Sequence, residues 1–214
     1  MKLAVFSLLL AICQSSLAQR ALPFREIVFE GVSVSGFHQG EPFEYFLIKR
    51  KIFAGLPLAQ EAAVIEEWAK LHPDAMALPV SIIGEKSQLP MVYVWAVDGS
   101  DFLNVYLVRK GVHPAIGMLD TAKFARLRQA SSNALFVKLA ARAEKAGNPT
   151  GVVSRRLIPK LTYDNFVKEL IAAETLAQRD CLGIWSDSFK QMREQTGLVP
   201  LSSLPLTSDE MDID

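Results

Sequence analysis

The sequence predicts an α+β domain, a small closed β-barrel with helices packed against it. Short segments rich in β-branched and aromatic residues recur between turn signals, one amphipathic helical pattern interrupts them, and another follows the last. Closure into a barrel removes the exposed edges that so short a sheet would otherwise carry.

Residues 1–18 come first and are set apart. Lys2, an apolar run from Leu3 to Cys13, and a polar segment closing on Ser16-Leu17-Ala18 have the three-part layout of a secretory signal peptide. That run is shorter than the roughly 20 residues needed to span a bilayer, so no transmembrane segment is expected and the mature chain is expected to be secreted or periplasmic.

Arg25–Val34 and Phe43–Ile52 read as strands, with Gly36 and Gly40-Glu41-Pro42 in the loop between them. Pro57 opens a helix whose apolar positions Leu58, Ala62, Ile65 and Ala69 fall on one face, ending before Pro73. Pro79–Ile83, Met91–Val97 and Phe102–Arg109 read as three further strands, giving five, with Asp98-Gly99 as the turn joining the last two. Asp120–Ala146 is helical in composition, broken at Ser131-Ser132-Asn133 and stopped at Gly147-Asn148-Pro149. A last helix is expected from Thr162, as N-cap, to Cys181, with Tyr163, Phe166, Leu170, Ala173, Ala177 and Cys181 on one face and Gly183 as its stop. The tail from Pro200 carries little apolar pattern and ends in the acidic stretch Asp209–Asp214.

Half of the 214 residues are hydrophobic, which excludes wholesale disorder, and the net charge of zero argues against a whole-surface nucleic-acid binder. With Cys13 in the leader, Cys181 is the one mature cysteine, so an internal disulfide is ruled out, and its place on the apolar stripe predicts a buried thiol. His38, His72 and His113 lie in unrelated elements without metal spacing and read as structural or solvent-facing. Trp68, Trp95 and Trp185 all read as core.

One region departs in charge. Between Asp120 and Lys160 stand Lys123, Arg126, Arg128, Lys138, Arg142, Lys145, Arg155, Arg156 and Lys160, against Asp120 and Glu144. Lys138, Arg142 and Lys145 share a helix face, which is either an ordinary solvated face or, with Arg155 and Arg156, a weak patch for nucleic acid or another polyanion.

The stretch Trp95-Ala96-Val97-Asp98-Gly99, then Asn104-Val105-Tyr106-Leu107-Val108-Arg109-Lys110-Gly111, resembles the late hairpin of the thermonuclease (staphylococcal-nuclease-like) family. Gly183-Ile184-Trp185-Ser186-Asp187 is similar to that family's closing segment, and Gly40-Glu41-Pro42 before Phe43–Leu47 resembles its turn into the third strand. The resemblance implies a five-stranded OB-fold barrel over residues 19–187, with a basic helical insertion at about 112–161 and a C-terminal extension over 188–214.

It also implies a chemistry: a calcium ion held by carboxylates, a glutamate that activates water, and two arginines that steady the phosphate. Counting from Gly40-Glu41-Pro42, the metal aspartates fall on Val32 and Lys51, the first arginine on Phe46 and the glutamate on Ala54. Counting from Trp95, the second arginine falls near Leu89, with Lys86 the closest cation. The catalytic set and the calcium site are therefore expected to be lost, leaving no catalytic residue, no metal and no cofactor. The expected role is a binding or scaffold module with a nucleic-acid, polyanion or protein partner. The alternative is a secreted nuclease or phosphodiesterase with a rearranged, calcium-dependent site.

Overall fold

The computed structural model describes residues 20–28, 35–39, 44–47, 56, 58–86, 89–119, 155–156 and 160–195. The first of these segments closes the sheet. Strand β1 (Leu22–Pro23) pairs with β5 (Met76–Lys86), whereas β2 (Ile27–Val28) pairs with β3 (Ser35–His38). Only a 3-10 turn, Phe24–Glu26, separates the two, and three residues reach about 10 Å at full extension. That short bridge joins the two ends of the sheet order β1-β5-β6-β4-β3-β2, where β4 is Glu44–Phe46 and β6 is Leu89–Asp98. A sheet whose two edges are tied by one turn must curl, and the result is a nearly closed, mixed barrel. Its one parallel pairing on that path is β4 with β6.

The sheet has more pieces than the five strands expected. Gly36, expected in a loop, lies in β3 opposite Tyr45, because a residue without a side chain leaves room beside that buried ring. Two-residue strands β7 (Asp101–Phe102) and β8 (Arg155–Arg156) add to β6 and β5. The β5–β6 hairpin shifts register after Pro79 and after Ile82, as fits a proline that cannot donate to the ladder and a strand that must bend around a barrel.

Val92 to Ala96 are buried on both faces of β6, which is why this strand reads as an unbroken apolar run. Trp95 stacks on Phe166 with ring centroids 4.1 Å apart and meets Phe102 edge-on at 5.5 Å. Truncating such a ring typically costs 3–5 kcal/mol. Trp68 and Trp185 are buried as expected.

Helix α1 (Leu58–Leu71) ends before Pro73 as expected, yet its inward face differs. Glu61, Ile65 and Trp68 are buried, while Ala62 is exposed and Ala69 half-buried. The large indole decides the rotation: Trp68 meets Phe24 edge-on at 5.9 Å and stacks on His72 at 4.3 Å, hiding far more apolar area than two alanines could.

The expected strand Phe102–Arg109 is overturned. Only Phe102 belongs to a strand, and Leu103–Arg109 forms helix α2. Its β-branched content suggested a strand, but Leu103 and Asn104 recur four residues on as Leu107 and Val108, and all four are buried. The helix stops where Gly111 adopts φ +66°, with Val112 N–H donating to Leu107 O (2.8 Å) and Gly111 N–H to Val108 O (2.9 Å), a Schellman end.

Helix α3 (Lys160–Arg179) starts two residues before Thr162, which is therefore not its N-cap, and buries Tyr163, Phe166, Leu170, Ala173 and Ala177 as expected. It does not reach Cys181. That residue is exposed, at φ +50°, and occupies the position Gly111 takes in the other Schellman end, with Leu182 N–H donating to Ala177 O and Cys181 N–H to Gln178 O. The buried thiol is thus corrected to a surface thiol. Gly183 follows in a 3-10 turn, Gly183–Trp185, and is not the residue that ends the helix.

A further helix, α4 (Asp187–Gln195), occupies the start of the expected C-terminal extension. Ser186 caps it, its Oγ accepting the Phe189 N–H at 3.3 Å, with Asp187 favourably placed in the first turn.

Candidate functional site

The segments Leu107–Gly111 and Gly183–Ser186 are far apart in sequence and touch in space. Ile184 N–H donates to Gly111 O at 2.8 Å. A Cβ on Gly111 would lie 2.2 Å from Leu182 O, and one on Gly183 would lie 2.2 Å from Gly111 O. Both glycines have positive φ, so absence of a side chain serves backbone conformation and close approach together. Beside this contact Arg109 bonds Asp180 at 3.0 Å, and Asp180 also takes Arg179 at 2.8 Å. Arg179, then Arg109, hold the Asp180 carboxyl below its ordinary range.

Asn104 is wholly buried. Its amide donates to Leu47 O (2.7 Å) and Val94 O (3.1 Å) and accepts from Ala96 N–H (3.1 Å). The parallel pairing of β4 with β6 ends at Phe46 and Tyr93, so β6 loses its neighbour there. The asparagine supplies the missing donor and acceptor and ties Leu47 to the same point.

The buried carboxyls and the buried imidazole gather on the segment between α2 and the end of the Ala115–Met118 3-10 turn. Every residue from Gly111 to Leu119 is buried. From α1, Glu61 meets His113 Nε2 at 2.6 Å, with the two residues 1% and 3% exposed. From α3, Glu174, 3% exposed, accepts the Ala115 N–H at 3.0 Å. Burial pushes the Glu174 carboxyl up to about 8, against the opposing pull of that N–H. His113 is thus structural, as expected, but its partner was not foreseen. A signal existed: Glu61 and Glu174 each interrupt an apolar helix stripe at three- and four-residue spacing, Glu61 from Leu58 and Ile65, Glu174 from Leu170 and Ala177. The other two histidines are latches at the surface, His72 to Asp98 (3.0 Å) and His38 to Glu26 (3.1 Å).

Of the expected polyanion patch, Lys138, Arg142 and Lys145 lie outside the described residues. Arg155 and Arg156 form β8, in register with Ile82 and Ser81 of β5. The stretch expected as a helical insertion over 112–161 is therefore strand at 155–156 and a buried 3-10 turn at Ala115–Met118. Val32, Lys51 and Ala54 also lie outside the described residues. Phe46 is the last residue of β4, half-buried and in register with Tyr93, and Lys86 and Leu89 pair at the end of the β5–β6 hairpin.

Fold and geometry define an α+β protein built on a nearly closed mixed barrel with helices packed against it. Among the described residues no helix is long and apolar enough to cross a membrane. No family model, no curated protein and no solved structure matches the chain.

Proposed function

We propose that this chain is an exported thermonuclease-like module that has lost phosphodiester hydrolysis and acts by binding, as a scaffold or on a polyanion. The observation that carries the reading is Phe46. It stands at the end of β4, in register with Tyr93, where the resemblance puts a guanidinium, and a phenyl ring cannot stabilise charge building on a phosphate. The barrel supports the same reading. Taking β1 and β2 as two halves of one bent strand, and setting aside the two-residue β7 and β8, leaves five strands in the manner of an OB-fold. The meeting of Gly111 with Gly183 supports it further, because the two resembling segments then form one structural unit.

Incubating the mature protein with single-stranded DNA or RNA and millimolar calcium tests the loss of hydrolysis. No cleavage above a chelated control is expected. Cleavage that calcium supports and chelator abolishes would overturn the proposal in favour of a nuclease with a rearranged site. Any binding through Lys138, Arg142, Lys145, Arg155 and Arg156 should weaken steeply with salt and show no sequence preference, since phosphate contacts release counterions and read no bases.

A further inference from the structure

The segment Gly111–Leu119 is gripped from two sides by carboxylates, one on each flanking helix, and the two grips differ. Glu61 meets an imidazole at 2.6 Å. Glu174 meets a backbone N–H and, among the described residues, no cation. We propose that Gly111–Leu119 is a proton-controlled latch, locked between α1 and α3 while Glu174 carries its proton and released from α3 as that proton goes to solvent.

Among the described residues, the surroundings of Glu174 leave its charge uncompensated. One turn away on α3 stand Leu170, Ile171, Ala177 and Gln178, none of them ionisable. From the latch itself comes His113, engaged by Glu61 of α1. From α2 come Tyr106, Arg109 and Lys110; Arg109 is taken by Asp180, and Tyr106 and Lys110 by Glu67. The Gly183–Trp185 turn brings no ionisable side chain. A carboxylate formed there keeps one N–H bond and must otherwise be hydrated. Parting Ala115 from α3 hydrates the carboxylate and uncovers Ile116, Met118 and Leu119, all buried when the latch is closed. The raised titration of Glu174 agrees with this direction. Below the ordinary carboxylate range open and closed forms are both protonated and the latch is tightest. As pH climbs from there to about 8, opening releases a proton and becomes about tenfold more favourable per pH unit.

Hydrogen exchange at the Ala115 and Gly117 amides, corrected for intrinsic rate, reads the opening at pH 6 and pH 8. In the parent, protection should fall by about fiftyfold between these values and stay below that of Ala96, bonded to Asn104, at both. In Glu174→Gln this roughly fiftyfold fall at Ala115 and Gly117 should be lost. A carbon-detected titration of the Glu174 carboxyl in the parent needs no variant and should show its inflection near 8. Equal protection at both pH values in the parent, the same loss in Glu174→Gln, or a carboxyl inflection between about 4 and 5 would each overturn the latch.

Discussion

Gly111 and Gly183 lie backbone against backbone, each at positive φ and each leaving no room for a Cβ on the other's side of the contact. Arg109 and Asp180 bond beside them, so the ends of α2 and α3 are fastened at one point.

Gly183→Ala should therefore be among the most damaging of single-methyl changes to this chain. The added carbon would stand 2.2 Å from Gly111 O, and the obstacle is backbone, which cannot swing aside as a side chain would. Together with the left-handed φ, a loss of about 3 kcal/mol is expected. Urea denaturation measures it, and a midpoint within experimental error of the parent would contradict the close contact.

Asn104→Leu keeps the branched skeleton of the side chain while stripping Leu47 O, Val94 O and Ala96 N–H of their partner inside the core. With up to three buried backbone groups left unpaired, about 3 kcal/mol should be lost. Asn104→Asp, which keeps the acceptor for Ala96 N–H but loses both donors, should also destabilise. If either variant melts with the parent in calorimetry, the amide is not the bridge described.

Cys181 is predicted to behave oppositely under substitution. It sits at φ +50° in a Schellman position that glycine fills without strain, so Cys181→Gly should stabilise by about 1 kcal/mol. Its exposure means that the thiol of the native protein should react with a chromogenic disulfide within minutes, before any unfolding. A thiol that reacts only in denaturant would restore the buried position expected from the helix stripe.

The Glu174 carboxyl gives global stability a definite pH dependence. Its folded value is raised to about 8 from an ordinary 4.5, so its contribution is fully present below the unfolded value and is lost as pH rises through the folded one. Between those limits the parent should lose about 1.4 kcal/mol per pH unit more than Glu174→Gln does. The difference between the two stability curves, measured from pH 5 to pH 8, isolates this residue from every other titration. Parallel curves would show that the carboxyl is hydrated in the folded state.

Much of the frame was legible in the residues themselves. The proline before α1 and the proline after it bound that helix, the apolar run of β6 announced a strand, and the spacing of Tyr163, Phe166, Leu170, Ala173 and Ala177 marked the inward face of α3. These features are local: they depend on backbone conformation and on burial period, which a stretch of sequence carries alone. Tertiary structure decided the rest, because the competing choices were close in local preference. Leu103–Arg109 could satisfy a strand pattern, and it is helical because its Asn104 and four-residue repeats find partners on β6 and in the core. The rotation of α1 follows from what Trp68 meets, Phe24 of the first 3-10 turn and His72 just past the helix end, not from apolar spacing alone. Glu61, His113 and Glu174 are spread over more than a hundred residues, so only packing could reveal that two carboxylates converge on one segment, one with a basic partner and one without. Gly111 and Gly183 each announced a turn, but that they turn against each other is a property of the folded chain, where a missing side chain lets two backbones meet.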